Sequence, residues 1–284
     1  MASISKAYRG RLAPTPTGYL HLGHARTFWI AQQRAQRAGG SLILRNEDLD
    51  RDRCRPEFAV AQIADLQWFG LRWDEGPDVG GPHAPYTQSG RLPFYQTIWA
   101  ELCAGGHVYP SPHSRQDVDR ALTAPHAGEG ELVFPVSLRP PPGTGREETV
   151  PGRTNWRFRV PDGQTISFQD GRLGETVRIA GRDFGDFVVW RKDGLPAYEL
   201  AVVADDHAMG ITEVVRGEDL LTSTARQLLL YAALGYAPPA FYHCELMRDA
   251  HGVRLAKRND ACSLRTLRAQ GVTPAELRTG WSWE

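Results

Sequence analysis

The stretch that most constrains this chain is residues 9–24, RGRLAPTPTGYLHLGH. A short apolar-edged strand (Arg11-Leu12-Ala13) runs into a Pro/Thr/Gly turn from Pro14 to Gly18, then into His21-Leu22-Gly23-His24. A long helical pattern opens immediately after His24. Strand, glycine turn and helix start in that order make a phosphate-handling geometry. Backbone N–H groups and the positive end of the helix dipole face the ligand there. Two histidines, not a lysine loop, stand at this terminus. Imidazoles donate hydrogen bonds to phosphate oxygens, and Gly23 lets a nucleotide approach the backbone closely. For HxGH taken alone, the plain alternative is that two of nine histidines fall together by chance. The strand–turn–helix context and a second basic element near the far end of the chain weigh against chance.

The rest of the chain reads as a nucleotide fold split by an insertion. Phe28, Ala31, Ala35 and Ala38 recur at helical spacing and stop at Gly39-Gly40. SLILRNEDLD then reads as a buried strand, Leu42 to Leu44, ending in a polar cluster. Ligands bind outside the carboxyl ends of strands in open α/β sheets, which puts Arg45, Glu47 and Asp48 near the crevice. A solvated cluster of Arg45, Glu47 and Asp50 is the competing reading. A helix follows over 56–70, a Gly/Pro/Trp-rich loop over 71–90, and a helix from about Leu92 to Ala104. Eight of the 20 prolines lie in 109–153, including LRPPPGTGREETVPGR, which cannot be regular secondary structure, and WRFRV and TISFQD beyond alternate like strands. LPAYELAVVADD is an almost continuous apolar run and reads as a buried parallel strand. EVVRGEDL is a strand and turn, and Ser223–Leu234 a helix ended by Gly235.

These readings give an α/β fold: a Rossmann-like parallel-sheet nucleotide-binding domain with an inserted α+β subdomain and a short C-terminal segment. The boundaries are 1–108 and 191–246 for the two halves of the catalytic domain, 109–190 for the insertion and 247–284 for the C-terminal segment. Length suits one such domain plus an insertion. Net charge is zero, so a nucleic-acid surface must be a local patch. From Met247 onward basic residues exceed acidic ones by three, which suits a tRNA backbone, a nucleotide or a solvated helix face equally. Cys54, Cys103, Cys244 and Cys262 form no CxxC pair, against a zinc ribbon or a secreted disulfide framework. The N-terminus lacks an apolar leader and no run reaches membrane-spanning length, so the expectation is a cytoplasmic protein. Of 33 basic residues only Lys6, Lys192 and Lys257 are lysine, which gives weight to a lysine at a motif position. His21, His24 and Lys257 would together surround a triphosphate. Such a surround stabilises charge on an attacked α-phosphorus and on departing pyrophosphate without a covalent protein nucleophile.

LAPTPTGYLHLGHART, LQWFGLRWDEGP, PYTQSGR, LPAYELAVVADDHAMGITEVVRGEDL and RLAKR together resemble the catalytic half of glutamyl-tRNA synthetases, which are class I aminoacyl-tRNA synthetases. The resemblance runs nearly end to end, weakest over 109–160. It implies that HLGH at 21–24 is the first signature, with His21, Gly23 and His24 binding ATP. It makes RLAKR at 254–258 a variant second signature with Lys257 on the phosphates, where Arg254 and Ala256 depart from the usual lysine and serine. ATP with Mg²⁺ is the implied cofactor. The resemblance further implies a glutamate site: Arg11 and the following Leu12, Ala13, Pro14 and Thr15 approach the substrate. Glu47 grips its amino group, and Tyr198 and Arg216 complete the pocket. Guanidinium forks suit carboxylates, and one anion suits an ammonium. The plain alternatives are Tyr198 as a core strand aromatic and Arg216 as a surface ion pair. Glutamate α-carboxylate would attack the α-phosphate of ATP.

Only 27 residues follow Lys257, so no helical anticodon-binding domain is expected. A chain of this size has a radius of gyration of about 19 Å and cannot hold a tRNA acceptor end while touching the anticodon. The expectation is therefore similarity to the stand-alone paralogues that attach glutamate to the queuosine base of tRNA(Asp). L-glutamate, ATP and queuosine-containing tRNA(Asp) are then the partners, with no obligate protein partner. Many of those paralogues carry zinc in the insertion. The corresponding positions here are Ser111, His113, Phe134 and Leu138, one possible ligand for a tetrahedral ion, so no structural zinc is expected. The alternatives are a truncated enzyme charging the tRNA 3′ end, a silent tRNA- or adenylate-binding paralogue, and a small nucleotidylyltransferase, which also places HxGH at a helix start.

Overall fold

A computed structural model describes residues 7–113, 133–247 and 263–282. Strand β1 (Arg9–Leu12) pairs in parallel with β2 (Ser41–Leu44). Between them runs helix α1 (Leu22–Arg37), the crossover that parallel pairing requires. Helices α2 (Pro56–Trp68) and α3 (Leu92–Ala104) follow, the latter with the bounds the spacing predicts. Strands β3 (Val108–Ser111), β4 (Asn155–Phe158) and β7 (Phe187–Trp190) form a separate antiparallel sheet, in the order β3-β4-β7. Residue 109, the expected start of the insertion, falls inside β3. Trp99 of α3 stands edge-on to Trp156 of β4, ring centroids 4.8 Å apart, and joins this sheet to the main core.

The hairpin of β5 (Thr165–Asp170) and β6 (Gly174–Ile179) takes a different place. It joins β8 (Glu213–Gly217) and β9 (Ala240–Cys244) in one sheet, ordered β6-β5-β9-β8. β8 and β9 are parallel. β8 also lies beside β1: the Thr212 N–H donates to the Arg9 carbonyl at 2.8 Å, and Arg11 Nη1 to the Val215 carbonyl at 3.0 Å. The parallel strands β2, β1, β8 and β9 therefore form one nucleotide-fold layer, as expected. α5 (Leu221–Ala233) is the helix expected over 223–234. Two short helices, α6 (Leu264–Ala269) and α7 (Pro274–Leu277), close the described chain.

One expectation is corrected. LPAYELAVVADD is not a strand; Tyr198–Ala208 is helix α4. Leu200 through Asp206 are all buried, so no polar stripe marks the helical period, and a helix apolar on every face reads like a buried strand. Three alanines, Glu199 and Leu200 lie in it, Pro196 precedes it, and Gly210 ends it at φ +66°. Those are helix preferences and boundaries.

Candidate active site

α1 begins earlier than its spacing suggests: His21 is its N-cap and His24 lies in its first turn. The reason is the imidazoles themselves. His21 Nδ1 accepts from the Gly23 N–H at 3.1 Å, and His24 Nδ1 accepts from the His21 N–H at 3.3 Å. Each ring thus satisfies a helix N–H that would otherwise lack an acceptor, as Asn or Ser does at other helix starts. An accepting Nδ1 assigns the proton of each neutral ring to Nε2. The two rings lie 3.8 Å apart between centroids. Gly23 lies tight against the site: a Cβ there would sit 3.0 Å from His21 Cε1, so the His21 ring would have to shift to admit it.

This helix start opens on a cavity of about 200 Å³. Its lining brings together Arg11, Ala13, His21, Gly23, His24, Glu47, Tyr198 and Arg216 from six separate elements or loops. Leu12, Pro14 and Thr15 do not line it. Leu12 is a core residue beside Leu20, Leu44 and Leu66. Pro14 lines a neighbouring apolar cleft, and the Thr15 carbonyl accepts from the Thr17 N–H and Gln62 Nε2. Their backbone still matters. The Leu12 carbonyl accepts from the Arg45 N–H at 2.8 Å, and that of Pro14 from the Glu47 N–H at 3.1 Å, so this segment sets where Glu47 stands. Asp48 lies elsewhere and caps a turn through Ser89. Lys257, with Arg254 and Ala256, lies outside the described residues. The flanks of its segment are at the cavity: Met247 lines it, and Ser263 bridges to His21.

Arg45 is not part of a solvated cluster. It is wholly buried behind the cavity, with Nη2 at 2.9 Å from Glu47 Oε1 and Nη1 at 2.6 Å from Asp206 Oδ1. Asp205 lies 3.6 Å away and is itself held by Arg91, Tyr95 and Gln88. Burial pushes the Glu47 carboxyl above the usual range, and the Arg45 and Arg11 guanidiniums pull it back. Arg11 reaches the same network, its Nε 3.7 Å from Asp206 Oδ1 and without a hydrogen-bond partner among the described residues. Tyr198 is no core aromatic: it opens α4 with its hydroxyl at the cavity, where Arg216 Nη1 donates to it at 3.4 Å. Arg216 is buried, not a surface ion pair.

Chemically, the cavity offers the buried Glu47 carboxylate, two guanidiniums, a phenol and a helix N-terminus bearing two imidazoles, with Asp219 and Glu245 also in its lining. That set can hold a zwitterionic dicarboxylate beside a polyphosphate. Among the described residues no group of three or more His, Cys, Asp or Glu converges on a metal position. The zinc positions of the insertion do not fit that ion. Ser111 Oγ accepts from Arg157 Nε at 3.3 Å, and Phe134 and Leu138 pack with Tyr109. Asp186 holds this region instead, accepting from Tyr109, from two nitrogens of Arg139 and from the Val160 N–H. No helix of the described residues is long and apolar enough to cross a membrane.

Residues 7–282 match the family described as tRNA synthetases class I (E and Q), catalytic domain. The chain is 50% identical over 268 residues to a glutamyl-Q tRNA(Asp) synthetase of Symbiobacterium thermophilum, covering 93% of this chain and 82% of that one. It is 47% identical over 275 residues to the glutamyl-Q tRNA(Asp) synthetase of Nitratidesulfovibrio vulgaris, covering 96% and 84%. The crystal structure of a glutamate tRNA ligase from Elizabethkingia meningosepticum, in complex with its amino acid, superposes with a TM-score of 0.78 at 32% identity. That match covers 89% of this chain and 52% of the ligase, so the chain spans about half the length of that relative.

Proposed function

We infer the function from family and site together: the chain belongs to the class I tRNA synthetases (E and Q), catalytic-domain family. It is an ATP-dependent ligase that activates L-glutamate as glutamyl-adenylate. We propose that it transfers the glutamyl group to the queuosine base in the anticodon of tRNA(Asp). The names of the two glutamyl-Q tRNA(Asp) synthetases described above support that acceptor.

The observation that carries the reading is that these groups share one cavity. Glu47, held by buried Arg45, faces the same space as Arg11, Arg216 and the α1 N-terminus. Glu47 would pair with the substrate ammonium, while the guanidiniums take carboxylate oxygens. The α-carboxylate would attack the α-phosphorus of ATP, forming the acyl–phosphate bond and breaking the bond to pyrophosphate. His21 and His24 would donate Nε2–H to phosphate oxygens as charge builds on them, with the α1 dipole and Lys257 adding positive potential. Mg²⁺ travelling with the triphosphate would offset the charge of the leaving pyrophosphate. A nucleophile on queuosine would then attack the anhydride carbonyl and release AMP. ATP and tRNA substrates make the cytoplasm the expected location.

The test is charging with labelled glutamate in parallel on queuosine-containing tRNA(Asp), the same tRNA lacking queuosine, and tRNA(Glu). Label on the first alone is the expected result. Label on tRNA(Glu) would mean orthodox charging of the tRNA 3′ end. Label on none, with ATP and Mg²⁺ present, would point to a silent paralogue.

A further inference from the structure

Arg216 is held from behind by residues that no sequence motif singles out. Asp170, at the end of β5, is buried and accepts four hydrogen bonds. Oδ1 takes the N–H groups of Arg172 and Leu173, at 3.0 and 2.9 Å. Oδ2 takes the His243 N–H at 3.0 Å and lies 2.7 Å from His243 Nδ1. A carboxylate so committed is a pure acceptor, so it fixes the imidazole with the proton on Nδ1. His243 Nε2 is then a lone pair, aimed 2.9 Å from Thr224 Oγ1 and 3.4 Å from Arg216 Nε. Arg216 Nη2 donates to Thr224 Oγ1 at 2.7 Å. Two nitrogens of the guanidinium are therefore tied to the fold, and Nη1 is the one directed at Tyr198 and the cavity.

We propose that Asp170 and His243 are positioning residues for glutamate recognition: the tautomer set by Asp170 makes His243 a neutral acceptor that locks the guanidinium plane of Arg216. The inference rests on the reading of Arg216 as a ligand of a substrate carboxylate. Neutrality is the point of using imidazole here. A carboxylate in its place would satisfy the guanidinium internally and compete with the substrate for its charge. A protonated imidazole would set two cations in contact and remove the lone pair. The surroundings favour the neutral form. Burial and the guanidiniums of Arg216 and Arg172 lower the His243 pKa to about 4, against the opposing pull of Asp170. The hydroxyl of Thr224 and the rings of Phe168 and Phe241 complete the surround.

The experiment is steady-state ATP–pyrophosphate exchange on the full chain, with saturating tRNA wherever exchange needs it. It compares wild type, Arg216→Ala, His243→Phe and His243→Gln. Phenylalanine keeps the ring and loses the lone pair; glutamine can place an amide oxygen near Nε2 as a neutral acceptor. A guanidinium freed from its lock loses roughly one charged hydrogen bond of ordering, so His243→Phe should raise KM for glutamate about tenfold. Its kcat should stay within threefold and its KM for ATP should not move, and His243→Gln should recover most of the loss. Unchanged KM for glutamate in His243→Phe, with Arg216→Ala impaired, overturns the positioning role and leaves the function standing. Equal loss in both His243 variants, spread over both substrates, also overturns it, as mere structural damage. Absence of glutamate-dependent exchange in wild type, or an Arg216→Ala variant with wild-type kinetics, overturns the reading on which it rests.

Discussion

Replacing Arg45 by methionine should remove the cation on which the Glu47 side of the cavity depends. The two side chains are similar in volume, and methionine fills the path of the aliphatic stem without the guanidinium, so the main change is the loss of charge. The guanidinium is wholly buried and contacts Glu47 at 2.9 Å and Asp206 at 2.6 Å. Asp205 would keep Arg91, Tyr95 and Gln88. Asp206 would keep only the Arg11 contact at 3.7 Å among its ion pairs with described residues, and Glu47 would keep none. Stranding one partner of a buried pair costs about 3–5 kcal/mol, and that is the expected loss for Arg45→Met near pH 8. Against a total stability of about 5–15 kcal/mol and ordinary urea slopes, the midpoint should fall by about 1–3 M.

The pH dependence has a definite sign. Burial already raises the Glu47 carboxyl, and losing Arg45 raises it further. An acid with a raised folded pKa takes up a proton that the unfolded chain does not, so acidification stabilises the variant relative to wild type. The deficit should shrink between pH 8 and pH 5. Urea unfolding followed by the fluorescence of the eight tryptophans, at both pH values, measures it. A deficit under about 1 kcal/mol at pH 8, or one that grows on acidification, would refute the claim that Arg45 is the necessary counter-charge.

Three further outcomes are expected. Asp65 is buried with Oδ2 lacking a hydrogen bond among the described residues, and burial raises its pKa to about 6 despite Arg265 and Arg268. The native state therefore binds a proton there that the unfolded chain lacks between the unfolded value and about 6, and stability falls as pH rises through that window. Asp65→Asn should be more stable than wild type by about 1–3 kcal/mol at pH 8, with the advantage gone at pH 4 by calorimetry. Gly23→Ala places a methyl 3.0 Å from His21 Cε1 while improving a helix position. Its melting temperature should hold or rise, since Ala exceeds Gly by up to about 1 kcal/mol in helices, while ATP–pyrophosphate exchange falls about tenfold. Elemental analysis of the purified protein should find zinc well below one ion per chain, and stoichiometric zinc would contradict the reading of Ser111, His113, Phe134 and Leu138.

Much of the site was legible in the sequence because it is local. The strand, turn and HLGH of residues 9–24 carry their chemistry within one α1 start, and Glu47 and Arg216 each sit at the carboxyl end of a parallel strand, where ligands gather. The bounds of α3 were equally legible, since Pro93 near its start and Gly105-Gly106 at its end are local signals. Helix α4 was not legible. Periodicity reports a difference between two faces, and a segment buried all round has none. Nor could spacing place the β5–β6 hairpin beside β9, since strand pairing across a long separation leaves no mark on either segment alone. The charges behind the cavity belong to the same class. Arg45 meets Asp206 across 161 residues, and Asp170 meets His243 across 73. The sequence by itself brought forward the groups that meet at the cavity, Arg11, His21, His24, Glu47, Tyr198 and Arg216, though not that Leu12, Pro14 and Thr15 stay out of its lining. Tertiary structure alone decided which buried partners hold them there, because a buried charge is satisfied by whatever the fold brings within about 3 Å of it, at any distance along the chain.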